Sequence, residues 1–243
     1  MIFMKKLFLT LAACCAISCA VQAKTLIVYY SYTNNVERIV TALSAQIEAD
    51  VIEVEPAEKG LDYAANNYAI GSSQIAAIRN NPNDKSSYPA IDPVEVNMDD
   101  YDTVVIGAPL WWSQMAAPLQ TFLFDHGKEM AGKNICLIVS SASSGISSVE
   151  ADAHRLIPDG KFITPSLWIK SSQTSSASSM ISDWLKKIGY NDFASDMNVI
   201  FTGSDDDLNV YTLNGLALTG LVSSADELKR GIYIINGKKI AIQ

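Results

Sequence analysis

The sequence predicts an α/β fold, in which a doubly wound, five-stranded parallel sheet is followed by a small all-β appendage. Two observations predict it. Short apolar runs alternate with amphipathic helical segments, and after residue 191 the chain changes to β-rich runs that flank Asn-Gly pairs. Of 243 residues, 49% are hydrophobic and 18% charged, with a net charge of −8. This composition is typical of a globular protein and makes nucleic acid and anionic membrane surfaces poor partners.

Five short apolar runs predict the strands of the parallel sheet. A strand that is covered by helices on both faces is apolar along its whole length rather than alternating. Such runs lie at residues 25–30, 51–54, 103–108 and 135–139, and a fifth strand is expected to open at residues 160–164.

Helical spacing predicts the segments that join these strands. Apolar residues recur with helical period over residues 36–47 and again over residues 177–188, where Gly189 ends the second helix as a C-cap residue. Residues 56–98 are long and irregular by comparison. A connection of this length is unusual and is often functional or partly helical.

The first 23 residues have the layout of a signal peptide. Two lysines precede an apolar run at residues 7–20, and small residues, Val21 and Ala23, occupy the two positions that a signal peptidase reads. The apolar run is too short to span a bilayer. We therefore expect no membrane span and an exported protein that is periplasmic, bound to the cell surface or secreted.

The cysteines of this leader leave a lipoprotein as the second interpretation. Leu-Ala-Ala-Cys ends at Cys14 and resembles a lipidation site, and Cys19 is another candidate for a lipid anchor. Cleavage at Cys14 leaves a very short apolar core, and cleavage at Cys19 leaves almost no tether before the first strand. Only Cys136 lies in the body of the chain, which excludes a disulfide within the mature protein.

A polar segment joins the first predicted strand to the first helix. It consists of Ser31, Tyr32, Thr33, Asn34, Asn35 and Val36. Hydroxyl groups and free backbone amides at a helix N-terminus form an anion site, so the segment is a candidate phosphate site. The same residue types also cap ordinary helices, and taken alone the segment favours that simpler interpretation.

Two more segments follow the third and fourth predicted strands. Their candidate ligand-contacting residues are Pro109, Leu110, Trp111 and Trp112, and then Ser141, Ala142, Ser143, Ser144 and Gly145. Ligands of open α/β sheets bind beyond the carboxyl ends of the strands. The tryptophans either stack on a flat ligand there or pack under residues 56–98. The serine-rich segment either borders a ring edge or is a plain loop.

Taken together and in order, these motifs resemble the flavodoxin family, in particular members with a Tyr-x-Ser-x-Thr phosphate loop and a Pro-x-Trp-Trp second loop. The resemblance runs from Lys24 to Gly189. It is also carried by Tyr101-Asp102, Thr121-Phe122-Leu123, Gly132-Lys133 and Trp184-Leu185.

The resemblance implies both a topology and a cofactor. The main domain would span residues 24–190, with the sheet order 2-1-3-4-5 that flavodoxins have. The cofactor would be FMN, with its phosphate on residues 31–36 and its isoalloxazine ring between residues 109–113 and 140–145.

Departures from the family pattern bear on FMN affinity. Where such phosphate loops read Thr-Gly-Asn-Thr, this chain reads Thr33-Asn34-Asn35-Val36. Asn34 tolerates a positive φ, but Val36 lacks a hydroxyl, and a hydrogen bond to a charged group is worth about 1.5–3 kcal/mol. Ser113 replaces a frequent glycine and would stiffen the second loop, which would hinder a peptide flip toward the flavin and reduce semiquinone stabilisation. We therefore predict weaker FMN binding than in a typical flavodoxin, and whether FMN is retained stays open.

Residues 191–243 are predicted to form a small module of β-hairpins. Their β-rich runs flank Asn214-Gly215 and Asn236-Gly237, and Asn-Gly is the strongest short signal for a hairpin turn. Residues 228–239 resemble the short sorting or surface modules of type IX secretion substrates, although the module is short for that role. An inert pair of packing hairpins is the alternative.

Together with the predicted signal peptide, the resemblance implies an exported, flavodoxin-like FMN protein that exchanges electrons with a redox partner protein or a small acceptor. An NAD(P)H-dependent flavin or quinone reductase on the same fold is one alternative, and an interaction module that has lost FMN is another. The body of the chain contains no metal-ligand spacing, and no side chain stands out as an acid–base catalyst. The enzymatic status and the oligomeric state stay open.

Overall fold

A parallel sheet forms the centre of the main domain, residues 24–191. The computed structural model describes these residues in full and, beyond them, the backbone of strands at Val210–Thr212, Gly231–Ile235 and Lys238–Ile242. The predicted leader, residues 1–23, lies outside the described residues. The chain divides into two compact units, one over Ala23–Asp196 and another that contains the three C-terminal strands.

The sheet has the predicted order, with its last strand in two pieces. Its strands are β1 (Thr25–Tyr29), β2 (Asp50–Glu53), β3 (Thr103–Trp111), β4 (Gln114–Met115), β5 (Asn134–Ser141), β6 (Lys161–Phe162) and β7 (Leu167–Lys170). The order is β2-β1-β3-β5, and both β6 and β7 pair in parallel with β5. The short strand β4 pairs only with β3, so β5 is the fourth predicted strand, and β6 and β7 together form the fifth. The expected order 2-1-3-4-5 is therefore confirmed. The run predicted at residues 160–164 covers β6 and misses β7, because Pro165 lies between them and cannot donate to the ladder.

Helices cover both faces of the sheet. They are α1 (Asn35–Ser44), α2 (Ala65–Asn80), α3 (Ala117–His126), α4 (Ser147–Leu156) and α5 (Ala177–Lys187). Alternate residues of β1 point to opposite faces: Leu26 and Val28 join the core under α2, α3 and α4, whereas Ile27 and Tyr29 join the core under α1 and α5. The arrangement is doubly wound. Within the described part of the chain, no helix is both long and apolar enough to cross a membrane.

Helix α2 occupies much of the segment that looked irregular in the sequence. Its first turn departs from helical geometry, because Asn66, Asn67 and Tyr68 have φ values of 50°, 55° and 60°. From there to its end the helix buries little beyond Gly71, Ile75 and Ile78. So sparse an apolar stripe explains why periodicity alone did not predict this helix.

The C-terminal strands form an antiparallel sheet of their own. Strands β8 (Val210–Thr212), β9 (Gly231–Ile235) and β10 (Lys238–Ile242) are ordered β10-β9-β8. Ile235 pairs with Lys238 across the predicted Asn236-Gly237 turn. Strand β8 pairs with β9. The partner that the sequence predicted for β8, residues 216–218, lies outside the described residues, so the first hairpin stays a prediction.

Gly107→Ala is expected to destabilise the main domain, because β3 passes close to β1 and α1 at this point. An added Cβ would lie 2.9 Å from Tyr29 Cβ and 3.1 Å from a Val36 methyl group, and overpacking of this kind costs about 1–3 kcal/mol. Circular dichroism of the full chain should show a thermal midpoint lower by several degrees. Gly145→Ala is the matched control, since nothing lies within 4 Å of its added Cβ. Equal midpoints for the two variants would contradict this packing argument.

Candidate functional site

A cleft of about 770 Å³ opens at the carboxyl ends of β1, β3 and β5. These strands are neighbours in the parallel sheet, so the segments that follow them meet at one edge. The cleft is lined by Ser31, Tyr32, Thr33, Asn35, Val36, Tyr63, Ala64, Tyr68, Pro109, Leu110, Trp111, Trp112, Ser140, Ser141, Ala142 and Ser171.

Most of the residues that the sequence predicted for the site line this cleft. The predicted residues that do not line it are Asn34, Ser143, Ser144 and Gly145. Asn34 shapes the turn before α1 instead. The Ser141 hydroxyl donates a hydrogen bond to the Ser144 carbonyl at 2.7 Å, which closes the serine-rich loop, and residues 143–145 are exposed beyond it.

The segment before α1 presents donors to the cleft. Asn34 has φ 59° and ψ 9°, the left-handed conformation that asparagine adopts more readily than most residues. The Ser31 hydroxyl accepts the Glu37 amide at 3.2 Å, and the Asn35 side chain donates to the Thr33 hydroxyl at 3.0 Å. The Glu37 amide is thus taken by Ser31. The first amides of a helix have no partner within it, so those of Asn35 and Val36 are available to an anion.

Val36 contributes to the site through its backbone. Its side chain is 2% exposed and packs with Ile39 and Val40 in the core under α1. A threonine has nearly the same shape and would add a hydroxyl at this point. Val36 therefore offers a phosphate one hydrogen-bond donor fewer than a threonine would.

Trp111 forms the inner part of an aromatic wall. Its ring centroid lies 5.5 Å from that of Tyr30 and 4.8 Å from that of Tyr63, and Tyr63 in turn lies 5.4 Å from Tyr32. Aromatic pairs at such distances add about 0.5–1.5 kcal/mol each to the burial of their area. The inner wall is therefore packed on several sides.

Trp112 forms the outer part of the wall, beside Tyr68. Its side chain is 42% exposed, and the two ring centroids lie 6.5 Å apart. Trp112 and Ser113 make the two-residue turn between β3 and β4 with φ values of 45° and 62°. Hairpin turns of this length favour Asn-Gly because both residues need a positive φ. The position of Trp112 is therefore maintained against an unfavourable backbone conformation.

A polar network holds this turn in place. Asp152 is 5% exposed, accepts the Met115 amide at 2.9 Å and pairs with Arg155 at 3.2 Å. On the other side of the turn, Arg79 donates to Gln114 at 3.2 Å and to the Trp112 carbonyl at 3.5 Å. The segment containing both tryptophans is thereby tied to α2 and α4.

The third wall consists of small residues fixed by β7. The Trp168 indole donates to the Ser141 hydroxyl at 2.8 Å. Ser140 is 4% exposed, and its hydroxyl has no hydrogen-bond partner among the described residues. Buried hydroxyls are normally paired, so this unpaired group beside the cleft is available to a polar ligand.

Burial keeps the ionisable groups of the inner wall neutral. It raises the pKa of Tyr30 and of Tyr63 above the ordinary range. It also raises the pKa of the Cys136 thiol in β5 to about 12. At neutral pH none of these groups supplies an anion or a nucleophile. Among the described residues no cluster of three or more His, Cys, Asp or Glu is arranged to hold a metal ion.

The residues of the cleft fit FMN, the cofactor that the family resemblance implies. The hydroxyls of Ser31 and Thr33 and the free amides of α1 suit a phosphate. The tryptophans provide faces for a flat ring, and the unpaired Ser140 hydroxyl offers a hydrogen bond to a polar ring edge. Among the departures from the family pattern, the buried Val36 side chain is the one that removes a phosphate donor, and it weakens the phosphate side without blocking it.

Sequence reasoning did not name five residues that line the cleft: Tyr63, Ala64, Tyr68, Ser140 and Ser171. Ser140 lies within the predicted segment 140–145. The first three belong to the 56–98 segment, whose unusual length indicated a function but not which residues perform it. Nothing in the local sequence marks Ser171. The tryptophans pack against α2, within residues 56–98, and also line the cleft. Their stacking on a flat ligand stays a prediction.

Gly71→Ala is expected to displace Trp112 from α2. An added Cβ would lie 2.8 Å from the Trp112 ring and 3.4 Å from the Trp111 ring. Alanine also favours the helix by up to about 1 kcal/mol, so the readout is ring exposure rather than stability. Quenching of tryptophan fluorescence by acrylamide should increase. Ser73→Ala, an exposed site on the same helix, should leave quenching unchanged; an unchanged Gly71→Ala would mean that the ring does not rest on the helix.

Comparisons with known proteins identify the family and the fold. A model of the flavodoxin family matches residues 24–188. A crystal structure of a candidate flavoprotein from Bacteroides eggerthii superimposes with a TM-score of 0.56 at 24% identity, covering 69% of this chain and 98% of that one. A second, from Bacteroides uniformis, gives 0.52 at 24% identity, with 68% and 98% covered.

A flavoprotein from Lactobacillus acidophilus, solved in complex with FMN, gives a TM-score of 0.51 at 23% identity and covers 64% of this chain and 99% of its own. A search of the curated proteins found no match. The family model spans well over half of the chain and includes all three segments around the cleft. The chain belongs to the flavodoxin family.

Proposed function

We propose that this protein is an exported, FMN-binding flavoprotein that transfers electrons. The observation that carries the proposal is the arrangement of the cleft, in which a polar segment at the N-terminus of α1 adjoins an aromatic wall. A phosphate and a flat ring in one ligand match these two parts. The Lactobacillus acidophilus flavoprotein, which has the same fold, was solved with FMN, and this supports the choice of ligand.

Each part of the cleft has a separate task in this proposal. The hydroxyls of Ser31 and Thr33 and the first amides of α1 bind the phosphate. Trp111 and Trp112 cover the ring and exclude water from it, while Ser140 donates a hydrogen bond at its edge. Bound FMN supplies the redox chemistry, and the protein supplies orientation and electrostatics.

The charge around the cleft determines which partners suit it. Glu53, Glu55 and Glu58 line a side pocket that shares Ser31, Tyr32 and Tyr63 with the cleft. Negative charge disfavours an anionic reduced flavin and so lowers the reduction potential. It favours a basic redox partner protein, or a small acceptor without negative charge, over an anionic one.

Val36→Thr is expected to tighten FMN binding about tenfold while it destabilises the protein without FMN. The added hydroxyl gives the phosphate a hydrogen bond worth about 1.5–3 kcal/mol. Without a ligand the same hydroxyl is buried and unpaired, at a cost of about 1–3 kcal/mol. FMN titration followed by fluorescence, with thermal unfolding of the apo form, measures the two effects in the full chain.

Val36→Ala is the matched control for that titration, because it disturbs the same packing without adding a donor. A Val36→Thr variant that binds FMN no better than the native chain would contradict the assigned phosphate site. Native protein that neither retains nor binds FMN would favour the alternative of an interaction module. Bleaching of bound flavin by NAD(P)H alone would favour a reductase.

Export gives a second test. Protein recovered from the exported fraction of a bacterial host is expected to begin at Lys24, with an intact mass equal to residues 24–243. A lipoprotein would instead begin at Cys14 or Cys19, carry diacylglycerol and partition into detergent. An uncleaved chain in the cytoplasm would contradict both forms of export.

A further inference from the structure

Two exposed aromatic side chains meet at the mouth of the cleft. Tyr68 is 51% exposed and Trp112 is 42% exposed, and their ring centroids lie 6.5 Å apart. In the part of the chain that the structure describes, the remaining exposed large hydrophobic residue is Val51. Apolar exposure at this edge is therefore concentrated in one aromatic pair.

The pair is held in position at an energetic cost. Trp112 has φ 45° and Tyr68 has φ 60°, a region that bulky residues rarely adopt. The Trp112 ring rests against Gly71, and its carbonyl accepts a hydrogen bond from Arg79 at 3.5 Å. Strained residues of this kind cluster where a ligand is clamped, and the fixed rings form a pre-organised surface.

The charge at the mouth is negative. Beside the cleft, Glu53, Glu55 and Glu58 line the side pocket, and Asp62 accepts a hydrogen bond from Tyr32 at 3.1 Å. Lys59 is the cation that lines the side pocket, and it is paired with Glu55 at 2.5 Å and with Asp92 at 2.6 Å. Arg79, which donates to the Trp112 carbonyl, is a second cation at the mouth. The carboxylates outnumber these two cations, so the net charge around the cleft disfavours an anion.

We infer that Tyr68 and Trp112 are a docking site for a flat aromatic compound that is neutral or cationic. This inference rests on the proposed function, since it names the class of small molecule that reaches the flavin. Stacking on the two rings provides the affinity, and the acidic surroundings provide the selection. A dinucleotide such as NAD(P)H carries a negatively charged diphosphate, which these surroundings disfavour.

A protein partner is a less suitable occupant of this surface. Stable protein interfaces bury about 800 Å² on each partner and contain a contiguous apolar centre. Here the exposed apolar surface at the cleft comes from two rings, with Arg79 beside Trp112 and carboxylates in the neighbouring side pocket. That area matches one aromatic ring system rather than a protein surface.

The test is an equilibrium titration of the FMN-loaded full chain, in the dark, with flat probes of different charge. The probes are methylene blue, which is cationic, menadione, which is neutral, and anthraquinone-2-sulfonate, which is anionic. At low ionic strength we expect the first two to bind more tightly than the third. The preference for methylene blue over the sulfonate should decrease at high salt, since salt screens exposed charges.

Variants separate stacking from charge. In protein saturated with FMN, Tyr68→Ala should weaken methylene blue binding about fivefold, and Tyr68→Phe, which keeps the ring, should bind like the native chain. Glu58→Lys should weaken methylene blue about threefold at low salt. Glu48→Lys makes the same charge change at the opposite edge of the sheet, between α1 and β2, and should have no effect.

Several results would overturn the inference. Native dye affinity in Tyr68→Ala would do so, and so would an equal loss of FMN affinity, which would assign Tyr68 to the flavin site. FMN-loaded protein that binds none of the probes would leave a basic protein as the occupant. If FMN itself does not bind, the proposed function fails separately, and dye titration of the apo chain with the Tyr68 variants still decides the inference.

Discussion

The buried carboxylate of Asp152 is the contact on which the geometry of the cleft depends. It lies in α4, accepts the Met115 amide at 2.9 Å and pairs with Arg155 at 3.2 Å. A buried charge or amide that loses its partner costs several kcal/mol, so these contacts hold the β3–β4 turn in the arrangement observed. That arrangement brings Trp111 and Trp112 to the carboxyl edge of the sheet and leaves the turn with two positive φ values.

The two tryptophans are neighbours in sequence and differ in their surroundings. Trp111 packs against Tyr30 and Tyr63 inside the wall, where a change of ring position would disturb several contacts. Trp112 is half-exposed and rests on Gly71. One therefore gives the cleft its shape, and the other gives it a surface that solvent and ligands can reach. A two-residue turn makes this possible, because successive side chains leave it in different directions.

The segment before α1 keeps the backbone of a phosphate site while it changes the side chains. Asn34 supplies the left-handed residue that the turn requires, so the amides of α1 remain available. Val36 replaces a donor with a buried methyl group that packs against β3 at Gly107. Backbone geometry and side-chain chemistry thus contribute separately to anion affinity. The chain retains the backbone geometry but has fewer side-chain donors.

The sequence by itself determined the class of the fold, its strand order through the family resemblance, and most of the cleft. Apolar runs and helical stripes are local patterns, and the carboxyl ends of neighbouring parallel strands must meet at one edge. Only the tertiary structure decided that Tyr63 and Tyr68 join the aromatic wall. It also decided that residues 143–145 lie outside the cleft. These positions depend on α2 and on the Ser141–Ser144 hydrogen bond. Helix α2 buries so few residues that its place is set by contacts between distant segments, which local periodicity does not record.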